Sequence, residues 1–226
     1  MNSNIKIKKF FSATVVAFVA LCAPAAHATF FLTLTDNVTG ATMTIQDNQI
    51  GADYNSATGR IGFDGGLGSW VAFIATGRSN APGTTSIATL DFSSIDLSNS
   101  GAGSLTLTLT DTGFTNPSGP NSGVRTGIGG TTNGTITASS LFNGNTLINL
   151  GSFTGGAGGS FSGGGGTSVD TTNPFSLSNS VTVTYGANGG QSTFAMNTSV
   201  PEPASLALLG LGLMGIGFAR RKTLKK

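Results

Sequence analysis

The segment Ser104-Leu105-Thr106-Leu107-Thr108-Leu109-Thr110 alternates apolar and polar side chains without a break. Successive side chains of a β-strand point to opposite faces, so this period of two buries the leucines and leaves the hydroxyls on the other side. A helix would scatter both sets around its circumference. The pattern recurs in Ser180-Val181-Thr182-Val183-Thr184-Tyr185, in Phe30-Phe31-Leu32-Thr33-Leu34-Thr35 and in Ala41-Thr42-Met43-Thr44-Ile45. Less regular candidates are 60–63, 69–76, 87–97, 135–138, 142–150 and 193–196. Turn-forming residues separate them, among them Asp36-Asn37, Asp64-Gly65-Gly66, Asn99-Ser100-Gly101 and Asn188-Gly189-Gly190. About nine or ten short strands with no amphipathic helix predict an all-β fold, an antiparallel β-sandwich with a jelly roll as the alternative. Two stretches are expected to be irregular. One is 116–123, with Pro117 and Pro120; the other is a Gly-rich loop at 151–166, nine of whose 16 residues are glycine, read as a mobile insertion.

The composition agrees with strands and turns. Charged residues make up 9% of the 226, against roughly 25% in an average soluble domain, and 35 glycines are about twice the usual share. Disorder competes for such a chain, but 38% hydrophobic residues and 15 phenylalanines supply a core. The net charge of +2 hides a segregation. Lys6, Lys8 and Lys9 lie near one end, and Arg220, Arg221, Lys222, Lys225 and Lys226 at the other. Residues 29–199 keep three arginines against eight aspartates, a formal charge of −5 that gives no electrostatic reason to bind nucleic acid.

At the N-terminus, the basic stretch leads into an apolar run from Phe10 to Ala23 and then Ala26-His27-Ala28. Basic region, short apolar run and a small-residue A-x-A site predict a signal peptide over 1–28, with Ala26 and Ala28 marking cleavage before Thr29. The Sec translocon and a signal peptidase are then partners. Cys22 and His27 are the sole cysteine and histidine, so the mature body has neither. Disulfides, Cys/His metal sites, thiol chemistry and histidine acid/base catalysis are excluded together. No cofactor is expected.

The C-terminus, 200–226, starts Val200-Pro201-Glu202-Pro203 and continues through 16 uncharged residues, Ala204 to Ala219, to a basic end at 220–226. Pro203 suits a first helical turn, and Glu202 sits where a helix dipole favours negative charge. A helix over 204–219 would span about 24 Å, short of a bilayer core of roughly 30 Å. The cluster after it should stay cytoplasmic, leaving the body outside the membrane it anchors in. A marginal span of this kind suits a transient anchor. The Pro-Glu-Pro triplet, Gly/Leu-rich helix and terminal basic cluster resemble a PEP-CTERM sorting tail, a segment also catalogued as an ice-binding protein C-terminal domain. That resemblance implies Sec export, transient anchoring in the inner membrane and cleavage near Pro201, Glu202 and Pro203 by an exosortase. Release to the cell surface or an exopolysaccharide matrix follows, with Arg220 and Arg221 ending the signal. The body also resembles secreted β-rich proteins that carry this tail, on its Asp/Gly loop at 47–59, Gly68-Ser69-Trp70, the 100–107 strand and Asp111-Thr112-Gly113-Phe114-Thr115.

Several side chains are candidates for chemistry. Asp47, Asp53, Asn55 and Asp64 are oxygen donors suited to Ca²⁺, though without EF-hand spacing, and turn capping accounts for the same residues. A glycosidase needs two carboxylates flanking a cleft, and the body has aspartates but no glutamate. The Thr-x-Thr strands suit water, ice or a sugar, but with no fixed-period repeat to hold them in one lattice they read as the wet side of strands. Trp70 and Phe73 are the aromatics placed to stack on a sugar ring, against a core role for a lone Trp. The expectation is a non-catalytic structural protein of the cell surface or exopolysaccharide matrix. The alternatives are a carbohydrate-binding module centred near Trp70 and a secreted hydrolase using an Asp pair.

Overall fold

The computed structural model describes residues 29–201 except 82, 85–86, 156–158 and 173. The expected signal peptide, the membrane helix and Glu202 onward lie outside the described residues. Within them twelve strands follow one another. The first six are β1 (Phe30–Asp36), β2 (Thr42–Gln46), β3 (Arg60–Leu67), β4 (Trp70–Ser79), β5 (Ile87–Asn99) and β6 (Gly103–Phe114). The others are β7 (Ser122–Thr132), β8 (Thr135–Phe142), β9 (Asn145–Thr154), β10 (Gly159–Val169), β11 (Phe175–Tyr185) and β12 (Gly190–Pro201). They form two six-stranded sheets, ordered β2-β1-β6-β11-β8-β9 (sheet A) and β10-β7-β12-β5-β4-β3 (sheet B). Every pairing is antiparallel, and the molecule is a β-sandwich.

The alternating segments bury the faces their period assigns. Leu105, Leu107 and Leu109 of β6 meet Val181 and Val183 of β11 and Leu32 and Leu34 of β1 in one core. Sheet B contributes Trp70, Ala72 and Ile74 from β4, Leu90, Phe92 and Ile95 from β5, and Phe194 and Met196 from β12. The last strand reaches further than expected. Val200 is fully buried and Pro201 pairs with Ile87, so the folded body takes in the first two residues assigned to the tail.

The Gly-rich segment 151–166 is a correction. Its described residues are mostly strand: the first finish β9, and Gly159 onward forms β10, paired with β7 over eleven consecutive positions. Gly163 and Gly165 of β10 are glycine because β9 lies directly upon them. A Cβ on Gly165 would stand 2.7 Å from Cγ2 of buried Ile148, and one on Gly163 would strike the Phe153 ring. Gly165→Val should therefore cost about 1–3 kcal/mol by overpacking, whereas Ser162→Val on the exposed opposite side should change stability by no more than about 0.5 kcal/mol. Urea unfolding of the two variants decides it; equal midpoints would mean β9 does not press on β10. The segment 116–123 is irregular through Asn121, and β7 starts at Ser122.

The register arranges the outer face of sheet A. Thr42, Thr35, Thr106, Thr182, Thr137 and Ser152 form one row across all six strands. Thr44, Thr33, Thr108, Ser180, Ser139 and Asn149 form the next. Neighbours bond laterally, Thr106 to Thr182 at 2.7 Å and Thr33 to Thr44 at 3.2 Å. Strand pairing thus aligns hydroxyls that no sequence repeat connects.

Candidate functional site

The segment 47–59 joins β2 to β3 and folds back on sheet B because its polar side chains bind their own and neighbouring main chain. Asp53 Oδ1 accepts the N–H of Asn55 at 2.8 Å and of Gly62 at 2.9 Å, while Oδ2 accepts that of Asn48 at 2.9 Å. The next residue, Tyr54, is stapled to the sheet at both ends. Its N–H donates to the Gly62 carbonyl at 3.1 Å, and its phenol O–H lies 3.0 Å from the carbonyl oxygen of Ile74 and 3.2 Å from that of Ala75. Between these anchors the ring lies flat on Gly62, where a Cβ would come within 2.5 Å of Tyr54 Cε2. Gly62 is glycine so that the ring can rest there.

Phe73 completes the site. On β4, Trp70, Ala72 and Ile74 face the core and Val71 and Phe73 face solvent. The Phe73 ring, 41% exposed, lies nearly parallel to that of Tyr54, with centroids 6.4 Å apart and 15° between planes. Together with Gly51, Ala52, Asp53 and Asp64 the two rings line a cleft of about 600 Å³ on the outer side of sheet B. Burial raises the Tyr54 phenol above its ordinary value and the charges of Asp64 and then Asp53 add to it, which keeps the hydroxyl a neutral donor.

The expected site residues separate. Trp70 is 1% exposed, its ring centroid 5.3 Å from that of Tyr185, so a sugar site centred on it is corrected: the indole belongs to the core. Phe73, three residues on, is the aromatic that reaches water. Of the candidate calcium ligands, Asp47 accepts the Gly59 N–H at 2.8 Å and Asn55 that of Ala57 at 3.1 Å, so these two and Asp53 shape turns of their own loop. Burial holds the Asp47 carboxyl above its ordinary value. Among the described residues no three of His, Cys, Asp or Glu stand together to hold a metal ion. Asp53 and Asp64 do line one cleft, the arrangement an Asp-pair hydrolase requires, but both oxygens of Asp53 already accept main-chain bonds. Tyr54 is the residue that sequence reasoning missed. Its signal was present: a large aromatic alone among Gly, Asp and Asn, belonging to no strand period.

Comparisons with known proteins bear mainly on the tail. No curated protein matches the chain. Among solved structures it is similar to TmCBM61 in complex with β-1,4-galactotriose, at 10% identity over 58% of this chain and 90% of that one, with a TM-score of 0.32. It is also similar to a family 35 carbohydrate-binding module from Clostridium thermocellum, at 11% identity over 49% of this chain and 90% of that one (TM-score 0.29). A third is the enzymatically active domain of bacteriophage CBA120 tailspike protein 4, at 14% identity over 58% of this chain and 20% of that one (TM-score 0.33). Scores this low carry nothing about ligand or activity. The PEP-CTERM protein-sorting motif matches residues 199–222, which include the Pro201-Glu202-Pro203 triplet, the uncharged run and the first basic residues. The motif implies an exported protein, anchored at the membrane before processing by an exosortase. The chain therefore carries the PEP-CTERM protein-sorting motif, over residues 199–222.

Proposed function

We propose that the chain is a non-catalytic protein of the cell surface or exopolysaccharide matrix, exported through the Sec translocon, cut by signal peptidase after Ala28 and delivered by its C-terminal tail. The observation that supports a non-catalytic body is the use made of its carboxylates. Of the eight aspartates, seven accept hydrogen bonds: Asp36, Asp47, Asp53, Asp111 and Asp170 take main-chain N–H groups near turns and strand ends, and Asp91 and Asp96, within β5, take the hydroxyls of Ser93 and Thr193. Asp64 alone faces the cleft uncommitted, and a paired-carboxylate mechanism needs two such groups, an acid and a base or nucleophile. Delivery is tested in cells. Glu202→Ala, or loss of the exosortase, should leave the full-length chain in the inner-membrane fraction. Unchanged release of the body, or the intact polypeptide in the cytosol with its leader attached, defeats the proposal.

A second reading, in which the body holds polysaccharide, is favoured by the paired rings of Tyr54 and Phe73 at the surface. Soluble monomeric proteins seldom spend two large aromatics on one exposed cleft without use for them.

A further inference from the structure

We propose that the Tyr54–Phe73 cleft binds a neutral polysaccharide, the rings carrying the apolar face of a sugar residue and Asp64 accepting its hydroxyls. This rests on the second reading above and adds the ligand class, the residues and their parts. Pyranose rings are apolar on their C–H faces and polar around the rim, which matches a ring platform bordered by a carboxylate. Tyr54 contributes ring surface rather than its hydroxyl, because that hydroxyl is spent on the Ile74 and Ala75 carbonyls. The platform is built before any ligand arrives: Gly62 beneath the ring, the phenol bonds at one end and the Tyr54 N–H bond at the other fix it. Little conformational freedom remains to be lost on binding. Asp64 differs from the other aspartates in having no hydrogen-bond partner among the described residues, so its oxygens are open to sugar hydroxyls. Charge decides between polymers. Among the described residues the cleft is lined by two carboxylates and no Lys, Arg or His, within a body of formal charge −5, so uronic-acid or sulfated chains are repelled and uncharged ones are not.

Affinity electrophoresis tests this with the purified full-length chain in non-ionic detergent, run through native gels containing dextran, galactomannan or xyloglucan as neutral probes and alginate as the acidic one. At least one neutral polymer should retard the chain and alginate should not. Phe73→Ala should weaken retardation about tenfold, and Phe73→Trp should restore it, which a merely structural role would not require. Asp64→Asn should weaken it several-fold, while Tyr54→Phe, which keeps the ring, should bind nearly as the parent. Retardation by alginate equal to that by the neutral polymers, or retardation indifferent to both Phe73→Ala and Tyr54→Ala, overturns the assigned site while leaving a polysaccharide-binding body. No retardation by any polymer removes the second reading and this inference with it; tail-directed delivery, read by cell fractionation, stands or falls separately.

Discussion

Trp70→Ala should lower the unfolding free energy by about 3–5 kcal/mol, the cost of emptying a large aromatic from a packed core. The indole is 1% exposed, rests against Tyr185 and approaches Gly103 so closely that a Cβ there would lie 3.0 Å from Cζ2. Tyr185 would lose more than a stacking partner. Its phenol spans the sandwich from β11, donating towards Ser192 at 2.7 Å and the Leu97 carbonyl at 3.3 Å, and the cavity would loosen that tie between sheets. Against a typical stability of about 5–15 kcal/mol the loss is large enough to shift a chemical-denaturation midpoint far down the scale. A shift below about 1 kcal/mol would mean that the site collapses freely and the indole is no keystone. Any loss of sugar binding by this variant would report unfolding, which is why Phe73 is the informative substitution at the cleft.

Asn179→Leu should cost about 3 kcal/mol although leucine is the more hydrophobic residue, because it breaks a buried polar chain that crosses the core. Asn179 is fully buried on β11. Its amide donates to the Leu90 carbonyl at 3.0 Å and accepts from Thr198 at 2.6 Å. Thr198 bonds Thr126 at 2.9 Å, and Thr126 reaches Ser140 at 3.0 Å, which returns the chain to sheet A. Leucine at 179 takes away the side-chain donor of the Leu90 carbonyl and the acceptor of the Thr198 proton, in a place water cannot reach. Thr198→Val in the same molecule removes one of those two groups, so the double variant should be more stable than the sum of the single losses by about 1 kcal/mol. Additive losses would show the groups to be independent and the chain of bonds to have no collective value.

What the sequence disclosed depended on whether packing had left a period in it. β1, β6 and the C-terminal half of β11 were legible because Leu or Val alternates with Thr or Ser along their central positions. β7 and β10 were not, since their inward positions include Thr126, Gly130, Thr132, Gly163 and Gly165, residues chosen by what presses on them from the other sheet or the next strand. A single strand's pattern reports its two faces and says nothing about its partner. Asn179, just before the alternating run 180–185, is the buried hub of β11 for the same reason. At the cleft, Asp53 and Asp64 were visible as carboxylates in a turn-rich loop. Tyr54 was not, because its importance comes from Gly62 and two carbonyls of β4 that only folding brings beneath it.

The rows of Thr and Ser on sheet A bear on how many such molecules behave when crowded. Each lateral bond between neighbouring strands already occupies part of a hydroxyl's capacity, so a second molecule drawing near gains little by stripping the solvent layer. Mutual repulsion from the excess of aspartates pushes in the same direction. On the proposed matrix reading, the broad side of the sandwich would serve as a spacer and a lubricant, with adhesion confined to the small aromatic notch on the opposite side.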